Sequence, residues 1–141
     1  MKNTIGFLLG HTCREMKNTM TKAFSEAGLN ITSEQWHLLM SLWAKDGRGQ
    51  NELISFVIKE KTTVTRLIDG LEKRNLIYRV NDRHDRRKKH VFLTQEGKEL
   101  KQKVMPVAVA TMEKTVEGLE IQEIEILKTL LNRVLENLNK I

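Results

Sequence analysis

This chain is poor in cysteine, proline and aromatic residues, with one, one and seven respectively, and it lacks any long hydrophobic run. One cysteine excludes an internal disulfide and fits a reducing compartment. The one proline, Pro106, falls inside a helical pattern and is expected to bend that helix, because its ring clashes and its N–H is missing. Few aromatics, most of them on apolar faces, argue against RNA recognition by base stacking. The apolar run Ile5–Leu9 is too short for a signal-peptide core and leads straight into His11, Cys13, Arg14 and Glu15. Nothing approaches the roughly 18 apolar residues of a membrane span, so no membrane association is expected and a cytoplasmic location is. No glycine-rich phosphate loop and no nucleophile motif is found. His84, His90, Asp82 and Asp85 lack metal-ligand spacing. Neither a metal, nor a cofactor, nor an enzymatic activity is therefore expected.

What is present is a folding composition with an uneven charge. Hydrophobic residues make up 40% of the 141 and charged residues 30%, which describes a single globular domain. The chain carries 24 Lys and Arg against 18 Asp and Glu. Residues 59–90 hold eleven of those bases and five of those acids, so this window contains the whole surplus of six and the remainder balances. Concentrated positive charge of this kind is the footprint of phosphate contact.

The charge coincides with a patterned segment. Val64, Leu67, Ile68 and Leu71 form one buried helical stripe, with Thr62 as the expected N-cap, Asn75 at a left-handed C′ position and Leu76 after it. Two apolar strands follow, 76–80 and 89–93, joined by a tip without an apolar residue. The pattern is a recognition helix followed by a two-stranded β-hairpin wing. Upstream, a short helix at about 50–58 offers Leu53, Ile54, Val57 and Ile58 to the core, and Lys59-Glu60-Lys61 forms the turn of a helix-turn-helix.

Thr63-x-Thr65-Arg66, Leu71-Glu72-x-x-Asn75-Leu76-Ile77 and Asp85-Arg86-Arg87 with Thr94-x-x-Gly97 resemble the MarR family of winged helix-turn-helix transcriptional regulators. These motifs cover roughly a quarter of the chain, and helix order and length fit throughout. Asn75 stands where the family usually has glycine, and Gly70 where a larger residue, often arginine, is common. The resemblance implies a mainly α fold of about six helices plus the wing, acting as a ligand-responsive homodimeric repressor. It further implies binding of small, often aromatic anions between the dimer helices and the DNA-binding lobe.

The flanking helices fit that plan. Leu9, Cys13, Met16, Met20, Ala23 and Ala27 form a seam on a helix over 5–27 that stops at Gly28. Thr32 and Gln35 make a capping box, and Ile31 with Trp36 a hydrophobic staple, for a second helix lined by Trp36, Leu39, Met40 and Trp43, with Leu38 and Leu42 beside them. Thr94 caps a fifth helix with Leu100, Val104, Val107, Ala108 and Thr111 inside, and Gly118 ends it. Ile124, Leu127, Leu131, Val134, Leu138 and Ile141 stripe the last. Those terminal stripes either pack within one chain or face a second copy across a two-fold axis. The second arrangement divides the single 1–141 domain into dimerisation helices at about 1–29 and 95–141, and a DNA-binding region at about 30–94.

For double-stranded DNA, Thr63, Thr65 and Arg66 are the expected base readers, although Arg66 could instead pair with Asp69. Lys61 and Thr62 join them at the helix N-terminus, where amide groups suit a phosphate. Gln50 and Asn51 should touch backbone. Arg87 is expected to enter the minor groove and Arg83, Arg86, Lys88 and Lys89 to neutralise phosphates, with Asp85 shaping the tip. The operator should be pseudo-palindromic, its half-sites about 10 bp apart. His11, Trp36, His37 and Met40 are the residues expected near an effector cleft. Cys13 raises the alternative of a cysteine-based redox sensor, although it has no resolving partner and should pack as a small hydrophobe. A winged-helix scaffold without DNA binding is the other alternative, opposed by the wing charge.

Overall fold

The computed structural model describes residues 3–57 and 60–141, with backbone only at 55–57. Its elements are α1 (Ile5–Glu26), α2 (Ser33–Ala44), β1 (Arg48–Gly49), α3 (Gln50–Val57), α4 (Lys61–Lys73), β2 (Ile77–Asn81), β3 (Lys89–Leu93), α5 (Gln95–Thr115) and α6 (Ile121–Asn139). The expected core contributions of Val57 and Ile58, and the place of Lys59 in the turn, lie outside the described residues.

Helix α2 is the post around which the rest packs. The Thr32 hydroxyl accepts from the Gln35 amide at 3.1 Å and the Gln35 side chain accepts from the Thr32 amide at 3.0 Å, closing the capping box. One side of α2 gives Leu38, Leu39 and Leu42 to a cluster with Leu53, Val64, Ile68, Leu71, Leu76, Ile77, Val91 and Leu93. Its other side gives Trp36 to a second cluster with Met20, Phe24, Ile31, Val104 and Ala108. Trp43 packs against both clusters and joins them. Each such side chain removed from water contributes roughly 1.5–3 kcal/mol before ordering entropy is charged against it. Met40, expected on the buried face, is 38% exposed. It falls just past the edge of the arc that Trp36, Leu38, Leu39, Leu42 and Trp43 occupy at 100° per residue.

The wing is larger than the expected hairpin. β2 and β3 pair antiparallel from Ile77↔Leu93 to Asn81↔Lys89, and β1 adds to the other side of β3 through Arg48↔Val91 and Gly49↔His90. The sheet is thus three-stranded, in the order β1-β3-β2. A two-residue strand has no periodicity to read. What makes it is the turn before it, where Asp46 Oδ1 accepts from the amides of Gly47 (3.0 Å) and Leu93 (2.8 Å) while Gly47 adopts a φ of +74°.

Helix α4 begins two residues earlier than a Thr62 cap predicts. Glu60 is the N-cap, with extended backbone and no side-chain cap bond, so Thr62 lies inside the first turn. At the other end Asn75 takes φ +59°, and the Leu76 amide reaches back to the Leu71 carbonyl at 3.1 Å. α5 runs unbroken through Pro106 to Thr115, burying Val104, Ala108 and Thr111. α6 buries no residue at all, and Leu127, Leu131 and Leu138 of its stripe are 46%, 39% and 59% exposed. The α1 seam is uncovered in its first half: Leu9 and Cys13 are exposed, whereas Met20 of the seam and Phe24 beside it are buried and anchor the helix.

Candidate nucleic-acid interface

The N-terminal ends of α3 and α4 and the inner edge of the wing surround an open cleft of about 620 Å³. α3 lines it with Gln50 and Asn51, α4 with Lys61 and Thr65, and the wing with Arg79, Arg87, Lys88, Lys89 and His90. Five cations and no carboxylate line it among the described residues. The fold thus brings together seven of the expected contacts: Gln50, Asn51, Lys61, Thr65, Arg87, Lys88 and Lys89. Thr62 and Arg66 are exposed on α4 outside the cleft and Thr63 is half-buried, while Arg83 and Arg86 are exposed on the tip. The Thr65 hydroxyl donates to the Lys61 carbonyl at 2.9 Å, so its methyl group and lone pairs are what it can offer a partner.

Arg79 was not among the expected residues, and it settles what Asp69 does. Its Nη2 donates to Asp69 Oδ1 at 2.7 Å and to Glu72 Oε1 at 2.8 Å, so Asp69 pairs with β2 and not with Arg66. This ties recognition helix to wing. The signal was available as two acids three apart on one face of α4, inside a window with a surplus of bases. The hydrogen bond from Arg79 holds the Glu72 carboxyl below its ordinary value, against a smaller opposing effect of burial. A depressed carboxylate stabilises the fold above its unfolded value and loses that contribution as pH falls through its folded value. Wild type should therefore lose more stability than Glu72→Gln between about pH 5 and about pH 3 in denaturant titrations. Parallel acid limbs for the two proteins would count against the tie.

The tip is built by two aspartates. Asp82 Oδ1 accepts from the amides of His84 (2.8 Å) and Asp85 (3.2 Å), and its Oδ2 lies 2.8 Å from His90 Nε2. The His90 hydrogen bond is the largest influence drawing the Asp82 carboxyl down to about 2. Asp85 Oδ1 accepts from the Arg87 amide at 3.0 Å and lies 3.5 Å from Arg87 Nε. The Arg87 side chain itself is 94% exposed, held at its base and open at its end.

These features form a winged helix-turn-helix with a basic face, and sequence comparison places them. A profile described as the MarR family matches residues 31–89, which span α2 to the start of β3. The fold of the S. aureus MepR–DNA complex covers 95% of this chain and 98% of its own at 30% identity, with a TM-score of 0.86. The chain belongs to the MarR family. A MarR transcriptional regulator from Methanosarcina mazei Go1 is 28% identical, with a TM-score of 0.83 and coverage of 97% and 98%. The transcriptional regulator HosA of Escherichia coli is 24% identical over 125 residues, 89% of this chain and 93% of that protein. This MarR-family chain is a DNA-binding transcriptional regulator.

A second opening, about 330 Å³ and largely apolar, lies away from the basic cleft. Leu9, Thr12, Cys13, Met16, Lys17 and Met20 of α1 line it, with Ser33, Trp36 and His37 of α2, Met112 of α5 and Leu131 of α6. Trp36 and His37 were expected at such a cleft; His11 and Met40 do not line it. His11 stacks on Phe7 along α1 with ring centroids 5.7 Å apart. The Trp36 indole N–H is buried without a hydrogen-bond partner among the described residues. Cys13, expected to be packed in the seam, is exposed at this opening, because the α2, α5 and α6 side chains that line it with Cys13 leave the opening uncovered among the described residues.

Proposed function

We propose that two copies of this chain grip one face of duplex DNA, with residues at about 30–94 as the reading unit and those at about 1–29 and 95–141 as the dimerisation helices. The carrying observation is the cation-lined cleft between α4 and the wing, where the approach of phosphate is favoured by Lys61, Lys88 and Lys89. Thr62, Thr63, Thr65 and Arg66 face the major groove in this reading, Gln50 and Asn51 touch backbone, and Arg87 reaches the minor groove beside Arg83 and Arg86. That a solved fold 30% identical to this chain was captured in a MepR–DNA complex supports the same engagement. The unburied apolar stripe of α6 and the exposed α1 residues Ile5, Leu8 and Leu9 support pairing of two chains through their ends. In such a dimer the regulator acts on the nucleoid.

A small aromatic or anionic effector fits the second opening: its walls are apolar, Lys17 stands at its edge, and the Trp36 N–H finds no acceptor among the described residues. The cysteine-sensor alternative has only the exposure of Cys13 in its favour, and the chain holds no second cysteine to resolve an oxidised one. Selection of bound sequences from random duplexes tests the DNA reading. A pseudo-palindrome with half-sites about 10 bp apart is expected; an unrepeated half-site bound by a single chain would contradict it.

A further inference from the structure

His90 lies between two groups that can only accept. Its Nε2 is 2.8 Å from Asp82 Oδ2 at the tip, and its Nδ1 is 3.3 Å from the Gly47 carbonyl in the turn before β1. A neutral imidazole has one N–H and leaves one of these acceptors without a donor; an imidazolium has two and satisfies both. Both anchors matter to the wing. The same Asp82 carboxylate gathers the His84 and Asp85 amides, and Asp85 in turn holds Arg87. Gly47 is fixed in a left-handed turn against the Phe92 ring, where a Cβ would find no room.

We propose that His90 is a positioning residue of the wing: as an imidazolium it clamps the tip turn to the α2–β1 turn and so aims Arg87, and losing its proton loosens the tip and weakens duplex binding. The inference rests on the reading that the wing contacts DNA. The charges around the ring come from every neighbouring element. Asp82 at the tip and Glu52 on α3 favour the proton, with Glu52 partly offset by its 2.7 Å pair to Arg48 of β1. Lys88 and Lys89 beside it, Arg79 on β2, Arg87 on the tip and Lys61 on α4 share its cleft and oppose it. The two hydrogen bonds outweigh them, first that to Asp82 and then that to Gly47, and the imidazole sits above its ordinary value. DNA phosphates entering the cleft push in the same direction. The sign follows: the clamp is fully present below the unfolded histidine value and is lost as pH rises through the raised folded one.

The test uses the full chain at constant ionic strength. Affinity for a duplex is measured from about pH 6 to about pH 8.5, across the range in which histidine titrates, for wild type, His90→Gln and His84→Gln. Wild type should weaken by about three- to tenfold per wing across that range, and so by about ten- to a hundredfold for two wings on one duplex, the effect of a half- to one-unit difference in each His90 pKa between bound and free protein. His84→Gln should keep this profile, and His90→Gln should be flat and resemble wild type at high pH. A wild-type slope surviving in His90→Gln overturns the proposal. An NMR titration of the DNA-free wild type reads the clamp directly, with the His84, Asp85 and Arg87 amide shifts expected to follow the His90 ring. Tip amides that ignore that titration overturn the clamp even if DNA binds, whereas absence of duplex binding at every pH overturns the DNA reading itself.

Discussion

Raising salt from about 50 to about 200 mM is expected to weaken duplex binding by about 10³- to 10⁵-fold, the loss for about 6–10 neutralised phosphates. The expected contacts come from an inventory of available cations. Lys61, Lys88, Lys89 and Arg87 line the cleft, and Arg83 and Arg86 stand exposed on the tip, so two copies offer enough even if a third of them miss a phosphate. Arg79 lines the cleft too but is held by Asp69 and Glu72 and adds no net charge for DNA to use. Arg87→Ala should weaken binding and reduce the salt slope by about one per wing, while Arg79→Ala should act through wing placement and leave the slope nearly unchanged. Filter binding or anisotropy across a salt series measures both. A flat response in wild type would leave only the scaffold alternative.

What could be read from residue order and what could not divides along the range of the interactions. Helices α2 and α4, the Asn75 turn and the inner stripe of α5 were legible, because capping boxes, left-handed stops and 3.6-residue stripes are local patterns. The basic cleft was legible as composition, since the surplus charge sits in one window. β1 was not, because two residues joining a strand more than forty positions away leave no periodic trace. Arg79 and His90 were missed for the same reason: the partners that define them, Asp69 with Glu72 and Asp82 with Gly47, come from other elements. The exposed side of α1 and α6 was left open by its pattern for a different reason. A heptad-like stripe says that a helix packs, without saying whether its partner is in the same chain, and here its own chain leaves the stripe of α6 uncovered.

Gly97→Ala is expected to destabilise the fold by about 2–3 kcal/mol, within the usual cost of overpacking a filled site, and at this chain length to lower the melting temperature by roughly 5–10 °C. Thr94-x-x-Gly97 was visible as a motif, but its reason is steric. Gly97 is buried at the start of α5, where a Cβ would run into the Leu76 carbonyl oxygen and lie 3.2 Å from Leu93 Cδ2. The neighbour is backbone and has no freedom to step aside, since that carbonyl accepts the Thr94 amide at 3.0 Å. Thr94 also binds the Asn75 carbonyl at 2.7 Å and accepts the Gly97 amide at 3.0 Å, while the Gly97 carbonyl takes the Trp43 indole N–H at 2.9 Å. Relief therefore requires α5 to move away from the end of α4. Gly70 is the matched contrast within α4, because a Cβ there meets only the Gln35 amide nitrogen at 3.6 Å. Gly70→Ala should instead stabilise by about 0.5–1 kcal/mol. If Gly97→Ala melts with wild type, α5 is not seated on the winged helix as described. If it melts early yet DNA affinity measured well below its transition is unchanged, the placement of α5 does not set how the recognition helices meet DNA.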